Sequence, residues 1–326
     1  MGGLVVRTGP GVVWKQVQAV GWGLGLIIIL GGFSQLIKTW SWRKAFRGDI
    51  SRLSWSRTLG SQLISDAAGQ LGVAGKLLGE GLRVSLASST VPVASAISAC
   101  AIDGGLHTLT AAGITVSGIA GTLLIAPLSG VWRTYASLLS VVLLALVILA
   151  SVAVARRWPL MGNAARAIGR LPLLHKWVSG EQPTIDSAEH NLLTFHQEAP
   201  AAFWASLSLN ALWHTLAILE VFLILRFMGA KIEVIGALVL EGLTKMINLV
   251  GAVNPGNLGT YEAGNMLIAK MFGVTGTAGL TLALCRRARS LFWAGIGVLC
   301  FIVMKRADWT KQSRDEAESD SGAAQV

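Results

Sequence analysis

The sequence predicts an all-α protein: a polytopic transmembrane helical bundle with two broken or re-entrant elements and indications of a two-half internal repeat. Three observations predict this class. The chain is very apolar, its apolar residues fall in runs long enough to cross a bilayer, and two glycine-rich stretches within this apolar sequence each carry a glutamate. Backbone that departs from a helix inside hydrocarbon is stable only where protein or a water-filled cavity covers it.

Composition places the chain among integral membrane proteins. Hydrophobic residues make up 53% of its 326 residues, charged residues only 13%, and mean hydropathy is +0.60. A soluble domain carries about a quarter charged residues. The formal net charge of +10 comes from Lys and Arg around the apolar runs, where basic residues orient a membrane protein, so we expect no nucleic-acid partner. The three cysteines lack metal-ligand spacing, and we expect no disulfide framework, metal or cofactor.

The chain is predicted to form one integral membrane domain over residues 1–305, followed by a polar, disordered tail over 306–326. Its halves, about 15–155 and 200–305, are joined by a polar linker over 156–200. Runs of about 20 apolar residues are long enough to span a bilayer, and such runs lie at 17–37, 91–127, 136–155, 202–226, 232–252 and 278–304. The second run fits either a short helix plus a span or one long tilted helix.

The number of full crossings stays open. Basic residues between positions 38 and 57, at the start of the linker and after 304 indicate that these segments are cytoplasmic. The second half should then cross an even number of times. Either the segment at 257–274 crosses as well, or one apolar run is re-entrant. We expect about seven or eight crossing elements, two of them half-inserted.

Two glycine-rich stretches, Gly72–Arg83 and Asn254–Gly264, interrupt the apolar pattern in corresponding places of the two halves. Paired interruptions of this kind indicate the binding site of a transporter. In each half, the glutamate of the stretch is followed 23 or 24 residues later by another charged residue, Asp103 or Arg286. We expect the backbone to be broken at Gly79, Asn254, Pro255, Gly256 and Gly259.

Charged residues within the apolar runs carry the chemistry of this chain. Each costs about 2.5–3.5 kcal/mol at mid-membrane, so they must pair or face water. Spacings of three or four residues place partners on one helical face, and such spacings join Glu80 to Arg83, Asp103 to His107 and Glu241 to Lys245. These pairs either neutralise one another in the bundle or line a polar groove. For Asn210 and His214, an ordinary interhelical hydrogen bond is favoured, and Glu220 lies off their face.

Three arginines, Arg286, Arg287 and Arg289, are flanked on both sides by apolar sequence. At a helix end they would be interface anchors. Inside the bundle they would bind a phosphate headgroup, since guanidinium groups bind phosphate bidentately. A polar groove of this kind would admit a headgroup while an acyl or polycyclic tail stays in lipid. The chain carries no motif for nucleophilic or metal-dependent catalysis, and we predict no catalytic residue.

Two sequence signatures resemble those of a known family. The segments Pro255–Glu262 and Gly79–Arg83 are similar to the second and first signatures of the flippase-like membrane domain family, which includes the membrane half of bacterial lysylphosphatidylglycerol synthetases. The resemblance covers about residues 15–305. Within the family, the hopanoid-biosynthesis-associated subgroup is the most similar, on the basis of residues 66–104, Leu240-Glu241 and Cys285–Arg289.

The resemblance implies a multi-pass protein of a bacterial inner membrane that flips or transports an amphipathic lipid, either anionic or polycyclic. We expect the groove to be lined by Glu80, Arg83, Glu241 and Glu262, with Asp103, Lys245, Arg286, Arg287 and Arg289 close by. A membrane-embedded enzyme, or the partner of one, in isoprenoid or glycolipid synthesis is the alternative, and a non-catalytic scaffold is the third. The lipid, the energy source and the oligomeric state are not predicted.

Overall fold

The computed structural model describes residues 10–47, 50–70, 73–125, 130–158, 163, 182–251 and 257–323. Within these ranges the protein consists of eleven α-helices without a strand, so the predicted all-α bundle is confirmed. The helices are α1 Pro10–Val20, α2 Gly23–Ala45, α3 Trp55–Gly69, α4 Val73–Ser88, α5 Val93–Ile125, α6 Gly130–Ala155, α7 Gln182–Glu198, α8 Pro200–Phe227, α9 Val234–Val250, α10 Thr260–Met271 and α11 Gly276–Ala323.

Five helices, namely α2, α5, α6, α8 and α11, are long and apolar enough to cross a membrane. Local sequence explains where two of them begin. Gly21 has a φ of 50°, and the turn it makes delays the start of the first span from the predicted residue 17 to Gly23. Pro200 occupies the first turn of α8, where its missing N–H costs nothing. The run at 91–127 forms the single helix α5 of 33 residues, in agreement with the second alternative.

Both glycine-rich stretches belong to pairs of short helices. α3 packs along α4, and α9 contacts α10. These four helices have 15, 16, 17 and 12 residues, each below the roughly 20 needed for a span. The apolar run at 232–252 gives the 17-residue helix α9, which is shorter than a typical span. Five helices of spanning length in the described part of the chain are fewer than the seven or eight crossing elements expected.

The glycines of the predicted backbone breaks behave differently from one another. Gly259 has a φ of 84° and directly precedes α10, so the chain turns there in a conformation that favours glycine. Gly79 was expected to break the backbone, but it lies inside α4. A Cβ at Gly79 would lie 2.5 Å from the carbonyl oxygen of Ser65 in α3, so this glycine serves close helix packing. The predicted breaks at Asn254, Pro255 and Gly256 fall outside the described residues.

The two halves have the same order of elements. Helices α2 to α5 are one long, two short and one long helix, and α8 to α11 follow the same order. Their packing partners also correspond. The first short helix of each half packs on the last long helix of the other half, in the pairs α3–α11 and α9–α5. The second short helix packs on the last long helix of its own half, in the pairs α4–α5 and α10–α11. The first long helices, α2 and α8, pack against each other, and α6 lies outside this scheme.

Small residues bring helices from the two halves into backbone contact. A Cβ built on Gly118 of α5 would lie 2.8 Å from the Cα of Gly242 in α9. Glycines at helix contacts let backbones approach closely in lipid, where no hydrophobic force drives helices together. By contrast, α6 exposes large apolar side chains, among them Val141, Leu146 and Ile148, as expected for a face in contact with lipid tails.

The last helix extends well beyond its apolar part. α11 continues to Ala323, and the disorder expected of residues 306–326 stays a prediction. This segment is rich in Ala, Lys, Arg, Gln and Glu, which have high helix propensity. Because the preceding span already supplies the helical nucleus, each further residue adds a hydrogen bond without a new nucleation cost.

Candidate functional site

A first group of polar side chains is centred on Asp103, which is buried in α5. The Oδ1 atom of Asp103 accepts a hydrogen bond from Ser41 Oγ at 2.7 Å, and its Oδ2 atom lies 3.0 Å from Arg83 Nη2 and 3.7 Å from Lys38 Nζ. Asn210 of α8 donates to Ser41 Oγ at 2.7 Å. We call Lys38, Ser41, Glu80, Arg83, Asp103 and Asn210 the Asp103 network. It joins four helices, α2, α4, α5 and α8.

Arg83 is enclosed on two sides. Its guanidinium carbon lies 4.0 Å from the centroid of the buried Trp42 ring, in the arrangement of a cation–π contact. Only 2% of the Arg83 side chain is exposed, whereas Glu80, 3.4 Å from the same guanidinium, is 51% exposed. Asp103 and Glu80 thus contact one arginine from a buried and an exposed side. Arg83 and Asp103 are placed to hold the helices together, and Glu80 is open to a ligand.

A second group is centred on Arg286 of α11, which is also buried. Its Nε atom lies 3.1 Å from Glu220 of α8 and its Nη2 atom 2.8 Å from Glu241 of α9. Lys245 pairs with Glu241 at 3.0 Å, and Arg289 pairs with Glu220 at 2.6 Å. We call Glu220, Glu241, Lys245, Tyr261, Glu262, Arg286, Arg287 and Arg289 the Arg286 network. Four consecutive helices, α8 to α11, thus supply charged residues to this network.

The carboxylate of Glu262 both caps a helix and forms an ion pair. Its Oε2 atom accepts a hydrogen bond from the backbone N–H of Gly259 at 2.8 Å, which caps the N-terminus of α10. Its Oε1 atom lies 2.8 Å from Arg287 Nη2. The preceding residue, Tyr261, lies with its hydroxyl 3.3 Å from Arg286 Nη1. The start of α10 is therefore fixed to α11 through two neighbouring arginines.

Two histidines lie between the networks. His107 of α5 and His214 of α8 stack with ring centroids 4.8 Å apart and an angle of 26° between the planes. Trp213 contacts both rings edge-on, at 5.0 Å and 4.9 Å, and the Nζ atom of Lys245 lies 5.7 Å from the centroid of the Trp213 ring. This contact links the stack to the Arg286 network.

The networks occupy corresponding helices of the two halves with charges of opposite sign. In the first half, Lys38 of the first long helix and Arg83 of the second short helix pair with Asp103 of the last long helix. In the second half, carboxylates from α8 and α10 pair with arginines of α11. Among residues that the structure describes, no group of three or more His, Cys, Asp or Glu is arranged to hold a metal ion.

Comparison with known families places the chain in one of them. The model of the family described as the lysylphosphatidylglycerol synthase TM region matches residues 2–297. The chain belongs to this family. Membership supports a membrane protein with a lipid-related function. No curated protein and no solved structure matches the chain. The assignment to a hopanoid-associated subgroup stays a prediction.

In this member of the lysylphosphatidylglycerol synthase TM-region family, all nine predicted groove residues lie in the two networks. The predicted pairs Glu80–Arg83 and Glu241–Lys245 are in contact. Asp103 and His107 share a face but each contacts other helices instead. Of the predicted backbone-break glycines that the structure describes, Gly79 is not a member of either network, and Gly259 contacts one through its hydrogen bond to Glu262.

The predicted groove did not include five members of the networks, Lys38, Ser41, Asn210, Glu220 and Tyr261. Glu220 had the clearest signal, because it is an acid in the middle of the apolar run at 202–226. The predicted hydrogen-bonding role of Asn210 agrees with its donation to Ser41 across the α2–α8 contact. Ser41 carries no sequence signal, since serine is ordinary in transmembrane helices. Tyr261 lies in the signature segment Pro255–Glu262, but nothing in the sequence shows that its hydroxyl contacts Arg286.

Proposed function

We propose that the protein translocates an amphipathic lipid across its membrane, with the headgroup passing along a polar groove lined by the two networks. The observation that carries this proposal is the pair of multi-helix charge clusters inside a bundle of spanning helices. Ionisable residues at membrane depth are costly and mark the paths of polar substrates. Family membership, which gives a lipid-related function, supports a lipid as the substrate.

The charge balance of the Arg286 network favours an anionic headgroup. The network holds four cations, Lys245, Arg286, Arg287 and Arg289, against the three carboxylates of Glu220, Glu241 and Glu262. Arg287 and Arg289 remain 19% and 23% exposed, so a phosphate can approach them without displacing the buried centre of the network. Planar guanidinium groups match the geometry of phosphate oxygens.

Basic residues suggest how the chain crosses the membrane. Basic clusters follow α2 (Arg47, Arg52), α6 (Arg156, Arg157) and the apolar part of α11 (Lys305, Arg306). Placing all three on the cytoplasmic side requires five crossings by α2, α5, α6, α8 and α11. The α3–α4 pair then enters from the cytoplasmic side and the α9–α10 pair from the opposite side. A bacterial inner membrane is the setting that this orientation and the family favour.

This arrangement is that of an inverted repeat with a site near the midplane. Asp103 lies ten residues after the start of α5, and Arg286 lies ten residues after the start of α11. At 1.5 Å per residue, each is about 15 Å along its helix, roughly half of a 30 Å hydrocarbon core. Because α5 and α11 enter from opposite faces, both networks lie near the centre, where transporters with inverted repeats bind their substrates.

A reconstitution experiment tests the proposal. The purified chain is placed in phosphatidylcholine vesicles with fluorescent phosphatidylglycerol, and the rate at which inner-leaflet probe becomes accessible to an external quencher is measured. We expect the wild type to accelerate exchange and Glu80→Gln to lower the rate about ten-fold or more, because the ionised carboxylate that accepts a hydrogen bond from a glycerol hydroxyl of the headgroup is lost. The control is Glu233→Gln, which changes an exposed carboxylate outside the networks.

Equal rates with the wild-type chain and with protein-free vesicles would contradict lipid translocation. If the wild type exchanges lipid and Glu80→Gln does so at the same rate, the Asp103 network does not line the lipid path.

A further inference from the structure

The stacked imidazoles of His107 and His214 each carry an unused proton position. The Nε2 atom of His214 lies 3.4 Å from the backbone carbonyl oxygen of His107. A carbonyl only accepts, so Nε2 carries the proton and, in a neutral ring, Nδ1 carries a lone pair. Among the described residues, neither the Nδ1 atom of His214 nor that of His107 has a hydrogen-bond partner. His214 is fully buried.

The pair is exposed to charges of both networks. Lys38 and Asp103 act on it from the first network, and Glu241 and Lys245 act on it from the second. These four residues come from α2, α5 and α9. Two imidazolium rings with centroids 4.8 Å apart would repel each other strongly in a buried site. The pair therefore has room for one added proton, shared between two rings.

An added proton would compete with the neighbouring lysines. An imidazolium attracts the carboxylates of Asp103 and Glu241, which in this structure pair with Lys38 and Lys245. Each lysine keeps 15% of its side chain exposed, which gives it a way out of the cluster, so protonation would loosen the lysines toward the groove. Two cationic amines would then be available to an anionic headgroup, and loss of the proton would return them to the carboxylates.

We propose that the His107–His214 pair couples lipid movement to proton movement, with one proton accompanying one anionic lipid. This inference rests on the proposed translocation of lipid. The proton comes from water on the side to which the groove is open, forms an N–H bond at one Nδ1 atom, and is returned to water on the other side. No electrons are exchanged. A singly anionic headgroup together with one proton crosses without net charge.

The experiment measures the leaflet distribution of fluorescent phosphatidylglycerol in phosphatidylcholine vesicles with a pH difference of one unit. One coupled proton predicts that the wild type accumulates the probe in the leaflet on the alkaline side by up to about ten-fold. The double variant His107→Gln/His214→Gln should exchange the probe but leave it evenly distributed. His190→Gln, an exposed histidine of α7, should behave as wild type, and protein-free vesicles give the passive background.

The outcomes separate the two proposals. Even distribution with active wild-type exchange would overturn proton coupling and leave translocation intact. Accumulation by the double variant equal to wild type would show that these histidines are not the proton site. Absence of wild-type exchange would overturn both proposals.

A second measurement uses only the wild-type protein, so it does not depend on a variant that folds. In the wild-type chain, histidine-selective ¹⁵N spectra in lipid nanodiscs contain signals from five histidines. With phosphatidylglycerol present, the signals of the stacked pair should move together in one step as the sample is acidified. Signals of the pair that stay fixed while the protein remains folded would overturn the proposal.

Discussion

Asp103 and Glu80 offer a matched comparison, since both carboxylates contact the guanidinium of Arg83. Asp103 is fully buried at 3.0 Å and Glu80 is half exposed at 3.4 Å. Asp103→Asn keeps the shape and an oxygen that accepts from Ser41, but it leaves the buried Arg83 without its main counter-charge. Breaking a buried ion pair costs about 3–5 kcal/mol. Glu80→Gln removes an exposed partner, for which about 0.2–1 kcal/mol is expected.

The free energy of unfolding of each variant can be measured in bicelles by steric trapping with a denaturing tag. We expect Asp103→Asn to lower it by several-fold more than Glu80→Gln. Adding Arg83→Met to Asp103→Asn should recover part of the loss, because replacing both partners removes the uncompensated charge. Lys38, which is partly exposed, can turn toward water. Equal costs for the two single variants, or no recovery in the double variant, would refute this account of the Asp103 network.

Two further predictions concern packing and the start of α10, and both can be checked by thermal unfolding. Gly118→Ala should destabilise the protein by about 1–3 kcal/mol, because its Cβ would meet Gly242. Gly104→Ala, on the same helix in open space, should be neutral or slightly stabilising; the reverse order would contradict the α5–α9 contact. Glu262→Gln keeps the cap on Gly259, so Glu262→Ala should lower the free energy of unfolding by about 0.5–2 kcal/mol more than Glu262→Gln does. Equal losses in the two variants would argue against the cap.

Glu262 also shows how the structure changes the choice of variant. From sequence alone, Glu262→Ala is the natural test of a groove carboxylate, and transport should be lost while the protein stays inserted. In the structure the same side chain caps α10 and pairs with Arg287. An alanine removes both contacts, so loss of activity would not distinguish a groove role from a misplaced helix. Glutamine removes the charge alone.

Most of the spanning helices could be predicted because the signal is local. A long apolar run such as 136–155 needs only its own composition to be assigned, and α6 contains it. The behaviour of Gly79 could not be predicted in this way. Low helix propensity suggests a break, but the neighbour that requires a glycine is Ser65 of α3, and that approach exists only once the two helices pack.

In the candidate site, too, contacts within one helix could be predicted and contacts between helices could not. Pairs within one helix, such as Glu241–Lys245, follow from spacing. The partners of Arg286 come from α8 and α9 and require the tertiary arrangement. Asp103 and His107 illustrate the limit, because their shared face does not pair them; each finds a better partner on α4 or α8. A shared face gives proximity, and the choice of partner depends on what packs against it.

The most direct test of the account is to locate a lipid headgroup on the protein. Phosphatidylglycerol with a photoreactive group on its glycerol headgroup is irradiated with the reconstituted chain, and the modified peptides are identified by mass spectrometry. If the headgroup passes along the networks, adducts should appear on α4 beside Glu80 and on α11 beside Arg289, and excess unlabelled lipid should suppress them. Adducts confined to the lipid-facing surface of α6 would contradict the central claim.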